Sequence, residues 1–139
     1  MKVEGGDQLI AALRKLGKEG EAAIAKAVTQ TAVDVRSDII KRYKNGPKTG
    51  KIYTRGNVKH TASAPGEAPA WDTGRLANGT DFKSTGKLSA EVGNKVKYGA
   101  MLEFGTLKIE PRPAWLPAIE AAAPKYIKRL ETALARIMK

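Results

Sequence analysis

Three kinds of residue in this chain could take part in chemistry: a glycine- and lysine-rich segment, a single histidine and the carboxylates. The segment from Gly46 to Lys51 reads GPKTGK, and glycine N–H groups together with a lysine can cradle a phosphate. A phosphate-binding loop needs four residues between its first glycine and the Gly-Lys pair, and then Ser or Thr. Here three residues intervene and Ile52 follows, so the spacing argues against a nucleotide site.

The sequence also contains no pattern that indicates a metal site or a catalytic site. His60 is the only histidine and there is no cysteine, so a transition-metal site would depend on carboxylates, and these form no close cluster in the sequence. No nucleophile with a neighbouring base, and no carboxylate pair at a recognisable spacing, indicates a reaction. We therefore predict no cofactor, no metal and no enzymatic activity, and we interpret His60 as a surface residue.

The charge of the chain points towards polyanions. There are 25 Lys and Arg against 14 Asp and Glu, a formal net charge of +11, and nucleic acid is the commonest polyanion in a cell. A solvated surface is the first interpretation of each of the two basic clusters. The cluster that could face DNA comprises Lys41, Arg42, Lys44, Lys48, Lys51, Arg55 and Lys59. The second comprises Lys125, Lys128, Arg129, Arg136 and Lys139.

Length and composition suggest a single domain over residues 1–139, with a core built from aliphatic residues and alanine. The absence of cysteine gives no disulfide framework that would call for an oxidising compartment. No apolar run approaches the roughly 20 residues of a membrane span, and the N-terminus has no apolar signal core. We expect a soluble protein made in the cytoplasm.

Residues 1–45 are predicted to form two helices. The first is short, with Asp7 as its N-cap, and Gly17 ends it. Its apolar face comprises Leu9, Ile10, Leu13 and Leu16. The second runs from about Glu19 to about Lys44 and keeps one face on a core. Its stripe comprises Ile24, Val28, Ala32, Val35, Ile39 and Tyr43.

Residues 46–75 are predicted to form a long, mobile, basic loop, or to include a hairpin around Thr49-Gly50. Within it, Ser63–Pro69 is an extended strap stiffened by two prolines. Because long loops in compact domains are usually functional or disordered, we expect something outside the chain to order this strap. Trp71 at its end either folds back on the core or anchors a partner.

Residues 76–110 are predicted to form a small sheet and a corner. The runs Thr80–Ser84 and Lys87–Val92 alternate on either side of a turn at Thr85-Gly86-Lys87, which indicates a β-hairpin whose edges could pair with a neighbouring subunit. Val96–Tyr98 could extend this sheet. Tyr98, Met101 and Leu102 then recur at helical spacing and predict one or two buried turns that end at Gly105.

Residues 111–139 are predicted to form a C-terminal helix, with Pro117 in its first turn and a kink or break at Pro124. Its apolar face comprises Leu116, Ile119, Ala123, Ile127, Leu130, Leu134 and Ile137. This helix and the second one should pack on one face of the sheet. The predicted class is therefore α+β: a small antiparallel sheet packed by two long helices, with the long mobile basic loop.

Two blocks of sequence resemble a phage tail-component family, typified by the tenth gene product of a lambdoid siphophage. The first is YGAMLEFGT followed by PRPAWLPAI, within 98–119, and the second is SAPGEAPAWDTGRL at 63–76. Trp115 stands where the family usually has Phe, and Asn78-Gly79 where it usually has Ser-Ile. The motif positions matched here are Thr73, Gly74, Leu76, Tyr98, Glu103, Phe104, Gly105, Thr106, Arg112 and Pro113.

The resemblance implies a non-enzymatic structural protein of a tailed bacteriophage or prophage, acting in tail completion or head-to-tail joining at the neck. It also implies a ring of copies around the DNA channel, in contact with connector, tail-tube or terminator proteins, in a virion assembled in the host cytoplasm. We expect Glu103 and Arg112 to form an ion pair across the corner, placing Phe104 and Trp115 in the core. The alternative is a stand-alone basic nucleic-acid-binding module, which the charge favours.

Overall fold

The computed structural model describes the backbone of residues 6–139, and side chains at residue 11 and residues 14–139. Helices and two antiparallel hairpins alternate along this part of the chain, which confirms the α+β class. In chain order the elements are α1 (Gly6–Asn45), β1 (Ile52–Arg55), β2 (Val58–Thr61), α2 (Arg75–Gly79), β3 (Thr80–Gly86), β4 (Ser89–Asn94), α3 (Tyr98–Phe104) and α4 (Trp115–Ile137).

The N-terminal region forms one helix of 40 residues instead of two. Gly17 lies inside it, so the predicted stop is wrong: a glycine within a helix costs only about 1 kcal/mol relative to alanine, and the good helix formers around it offset that cost. The cap at Asp7 and the apolar side chains of Leu9, Ile10 and Leu13 lie outside the described side chains.

The predicted stripe of α1 forms the core in the second half of the helix. Ala32, Val35, Ile39 and Tyr43 are all buried, and Ile39 is fully inaccessible. Three of them pack with alanines of α4 and with Ala77 of α2. The four-residue period of the stripe therefore identified the buried face correctly.

Helix α4 buries a different face from the predicted one. Ala118 and Ala122 are its buried residues, whereas Leu116, Ile119, Ile127 and Leu134 are exposed. Alanines let two helix backbones approach closely, so the contact with α1 is made by the short side chains and the large ones point away. The helix also continues through Pro124, so of the predicted kink or break the break is wrong.

The two hairpins form separate two-stranded sheets. In the β3–β4 hairpin, which confirms the prediction for this region, Phe82 is paired with Val92. In β1–β2, Tyr53 is paired with His60 and the turn lies at Gly56-Asn57, beyond the predicted Thr49-Gly50. The predicted basic loop is therefore not confirmed, since strands occupy its middle.

The strap is held by the chain itself, contrary to the expectation of an outside partner. The Glu67 carboxylate accepts hydrogen bonds from the N–H and hydroxyl of Thr49 at 3.1 and 2.5 Å and from the N–H of Ala64 at 2.8 Å. These hydrogen bonds, of which the one from the Thr49 hydroxyl has the largest effect, hold the pKa of Glu67 below its ordinary value. The N–H of Gly66 also donates to the carbonyl of Pro111 at 2.9 Å. The strap therefore joins the segment after α1 to the segment before α4.

Candidate functional site

The corner after α3 is built around a glycine. Tyr98 begins α3 instead of extending the sheet, and Gly105 follows the helix with φ 75°. A Cβ at residue 105 would lie 2.8 Å from the carbonyl oxygen of Ile109 and 2.9 Å from Pro111 Cδ, so the position requires glycine. The N–H of Thr106 donates to that same Ile109 oxygen at 2.7 Å and closes the turn.

The Glu103 carboxylate binds the N-terminus of α4. It accepts the N–H of Ala114 at 2.8 Å, of Trp115 at 3.1 Å and of Leu116 at 2.9 Å. The next residue, Pro117, has no N–H, so one carboxylate satisfies every donor that the first turn leaves without an intrahelical partner. A negative charge at this end also interacts favourably with the helix dipole.

The predicted ion pair between Glu103 and Arg112 is not formed among the described residues. Arg112 instead donates its backbone N–H to the carbonyl of Leu102 at 2.6 Å, and its Nε is buried with no hydrogen-bond partner. The predicted burial of Phe104 is also wrong, because its side chain is 80% exposed. The prediction gave Glu103 the wrong partner, because three backbone N–H groups at the start of α4 donate to its carboxylate instead of the Arg112 side chain.

The sequence contains one signal for this cap, and none for the side-chain hydrogen bonds that involve Tyr43 and Thr80. Ala114 occupies the N-cap position of α4, and alanine cannot cap a helix, so a cap from elsewhere was to be expected. Trp115 Nε1 donates to the hydroxyl of Tyr43, 72 residues away, at 2.9 Å. Burial raises the pKa of Tyr43 above its ordinary value. The side chain of Asn94 donates to the buried Thr80 hydroxyl at 2.9 Å.

The structure brings the two motif blocks together. Gly74 has φ 78° and packs so closely on the indole of Trp71 that a Cβ would lie 2.6 Å from a ring carbon. Leu76 then packs against Gly99 of α3: a Cβ added to Gly99 would lie 3.5 Å from Leu76 Cδ2. Trp71 itself folds back on the core, with Lys44 Nζ 5.1 Å from its ring. The 63–76 block thus supports α3, while Thr73 is exposed and Pro113 half-buried.

Large apolar side chains are exposed along α3, the corner and α4. The α3 turns expected to be buried contain no buried residue. On α4, Leu116, Ile119, Ile127 and Leu134 fall within an arc of about 80° at 100° per residue, so they form one stripe. Glu103 ties the end of α3 to the start of this stripe. We name this the apolar surface: Met101, Phe104, Leu107, Leu116, Ile119, Ile127 and Leu134.

The mid-chain basic cluster is partly engaged within the chain. Arg42 pairs with Asp38 at 3.1 Å and Arg55 with Asp72 at 3.0 Å, while Lys44 lies over Trp71. His60, interpreted as a surface residue, is half-buried beside Asp72. In the described part of the chain five members are exposed without a carboxylate within 4.0 Å: Lys41, Lys44, Lys48, Lys51 and Lys59.

Helices α1 and α4 are also joined by an ion pair. Arg129 of α4 donates to the Asp34 carboxylate and, at 3.1 Å, to the hydroxyl of Thr31. The hydrogen bond from Arg129 is the main reason that the pKa of Asp34 lies below its ordinary value. This contact crosses the helix pair well away from the corner.

Over the described residues, no group of three or more His, Cys, Asp or Glu is placed to hold a metal ion. No helix within that part of the chain has both the length and the apolar character needed to cross a bilayer.

Comparison with known proteins gives a family match. The model of the family described as "Bacteriophage HK97-gp10, putative tail-component" matches residues 7–105. The match covers both hairpins, α3 and the corner glycine, whereas Thr106, Arg112 and Pro113 lie beyond it. No curated protein matches, and no solved structure does. Because the matched residues make up more than half of the chain, this protein belongs to the HK97-gp10-like family of bacteriophage tail components.

Proposed function

We propose that this chain is a non-enzymatic structural protein that completes the tail or joins it to the head, and that it assembles as an oligomeric ring at the neck. Its partners are other copies of itself and the connector, tail-tube or terminator proteins on either side. The protein resides in the virion and is assembled in the host cytoplasm. Residues 1–139 act as one domain in this proposal.

The observation that supports assembly is the apolar surface. A helix facing only solvent carries polar residues on its outer face, yet the outer face of α4 carries leucine and isoleucine. Full burial of such a side chain contributes about 1.5–3 kcal/mol. Four half-exposed side chains on α4 therefore offer about 3–6 kcal/mol to an interface, before the exposed Phe104 is counted. A second copy of the chain is the occupant that we propose.

The corner gives this surface a fixed shape. Gly105 permits the reversal, and Glu103 fastens α3 to the first turn of α4. The motif residues are therefore architectural: they hold two apolar segments at a set angle. In a ring, such an angle determines how one copy sits against the next.

Sedimentation velocity over a range of protein concentrations tests the proposal. The double variant Ile119→Glu, Ile127→Glu should weaken self-association by about 2–3 kcal/mol per interface, which is about 30- to 150-fold. The matched control is Ile52→Glu, Val58→Glu, which makes the same kind of change at exposed apolar positions of the β1–β2 hairpin. Equal effects of the two double variants, with circular dichroism unchanged, would contradict an interface on α4.

A stand-alone nucleic-acid-binding module remains the second candidate, because the net charge is +11 and all five lysines of the mid-chain cluster are exposed. Duplex binding measured over a salt series separates the two. A steep loss of affinity with salt, no oligomer on sizing, and weakening by Lys48→Glu, Lys59→Glu would favour the module. A defined ring that does not bind DNA would favour the neck protein.

A further inference from the structure

Four of the five members of the second basic cluster line a groove between α1 and α4, away from the apolar surface. The groove has a volume of about 580 Å³, and its walls come from residues 19–30 of α1 and residues 125–137 of α4. Its floor contains short apolar side chains, among them the buried Ala27 and the half-buried Ala133. Its basic residues are Lys26, Lys125, Lys128, Arg129 and Arg136.

The charges of the groove are unbalanced. Among the lining residues that the structure describes, Glu19 is the only carboxylate, and Arg129 is already held by Asp34. The other four cations have no carboxylate within 4.0 Å in the described part of the chain. Like charges gathered around one concave surface raise the local potential and favour an anionic ligand.

The shape of the groove distinguishes between anionic ligands. Its walls extend for about 17 Å at 1.5 Å per helical residue, which corresponds to about three turns of a third helix. An alanine floor allows the backbone of such a helix to approach closely, whereas a phosphate backbone would contact the cations of the rim and leave the apolar floor uncovered. Amphipathic helices commonly bind in grooves of this kind by their apolar face.

We propose that this groove is a docking site for an acidic amphipathic helix of a partner protein. Small apolar side chains of that helix would lie on Ala27 and Ala133, and its flanking Asp and Glu residues would face the cations of the rim. The site is separate from the proposed ring interface, so either can fail without the other.

Fluorescence anisotropy tests the proposal with a labelled synthetic peptide of about 12 residues, with alanine and leucine on one helical face and glutamate on its flanks. The double variant Lys128→Glu, Arg136→Glu should bind it about 10- to 100-fold more weakly. The control Lys48→Glu, Lys59→Glu changes the net charge equally, at one position before β1 and one on β2, and should change the affinity less than about 3-fold. A scrambled peptide of the same composition should bind about 10-fold more weakly or worse.

Three results would overturn the proposal. Equal binding of the ordered and scrambled peptides would show attraction by charge alone. Equal weakening by the groove variant and the control variant would show that the groove has no special part. Binding of a short DNA duplex that only the groove variant loses, and that displaces the peptide, would assign the groove to nucleic acid. The circular dichroism spectrum of each variant should match that of the unaltered chain. A loss of binding then cannot be caused by unfolding.

Discussion

Removal of the Glu103 carboxylate should destabilise the fold through the N-terminus of α4. In Glu103→Ala, the N–H groups of Ala114, Trp115 and Leu116 lose their acceptor, and no other protein group replaces it. Loss of a helix cap costs about 0.5–2 kcal/mol, and loss of a charge at the helix end costs about 0.3–1 kcal/mol more. Since a single carboxylate serves three donors here, we expect the upper part of the combined range, about 2–3 kcal/mol.

Thermal and urea unfolding, followed by far-ultraviolet circular dichroism at one fixed protein concentration, measure this cost. A loss of about 2–3 kcal/mol corresponds to a decrease in Tm of about 6–12 °C for a chain of this size. Glu110→Ala is the matched control, because Glu110 is an exposed glutamate of the same corner, and its free energy of unfolding should change by less than about 0.5 kcal/mol. Similar stability of Glu103→Ala and Glu110→Ala would refute the capping argument.

Three further predictions concern the corner, the core and the helix pair. Gly105→Ala should cost about 2–3 kcal/mol in urea unfolding because of its positive φ and close contacts, whereas Gly93→Ala, with nothing within 4 Å, should cost much less. Tyr43→Phe should cost about 1–2 kcal/mol by removing the acceptor of the Trp115 indole, and should shift the tryptophan emission; unchanged stability and emission would argue against that bond. Because the folded-state pKa of Asp34 is lowered, its pair with Arg129 stabilises the fold above about pH 4 and loses this contribution as the pH falls below it. Asp34→Asn should therefore flatten the decline of stability below about pH 4, and an unaltered pH profile would exclude the contribution.

Local sequence patterns predicted the helices and hairpins of this fold better than they predicted which faces of these elements pack together. The period of the α1 stripe identified Val35, Ile39 and Tyr43 as core residues, and the corner glycine was recognised from the end of a helical run. The helix break at Gly17 was wrong because a glycine interrupts a helix only weakly. Period alone also misassigned α4, since both of its faces are apolar and only the approach of α1 decides that Ala118 and Ala122 are inside.

The position of the candidate site in the chain could be predicted from sequence, but the contacts that hold it together could not. The two motif blocks were recognised, and the structure places Gly74 and Leu76 beside α3. The bonds that hold the site are long-range: Glu103 spans 11 to 13 residues to reach α4, and Trp115 reaches Tyr43 across 72. Such pairings depend on tertiary packing, which no local spacing encodes. The exposure of Phe104 was missed for the same reason.

Photo-crosslinking in assembled phage tails tests most directly whether the apolar surface joins copies of this chain. The photoreactive amino acid p-benzoylphenylalanine would be placed at Ile119, on the stripe of α4, and in a parallel preparation at Ile52, on the β1–β2 hairpin, where the side chain is also exposed. We expect irradiation to give a ladder of multiples of this chain from position 119 and little or none from position 52. A ladder from position 52 alone, or crosslinks from position 119 only to other proteins, would contradict the account.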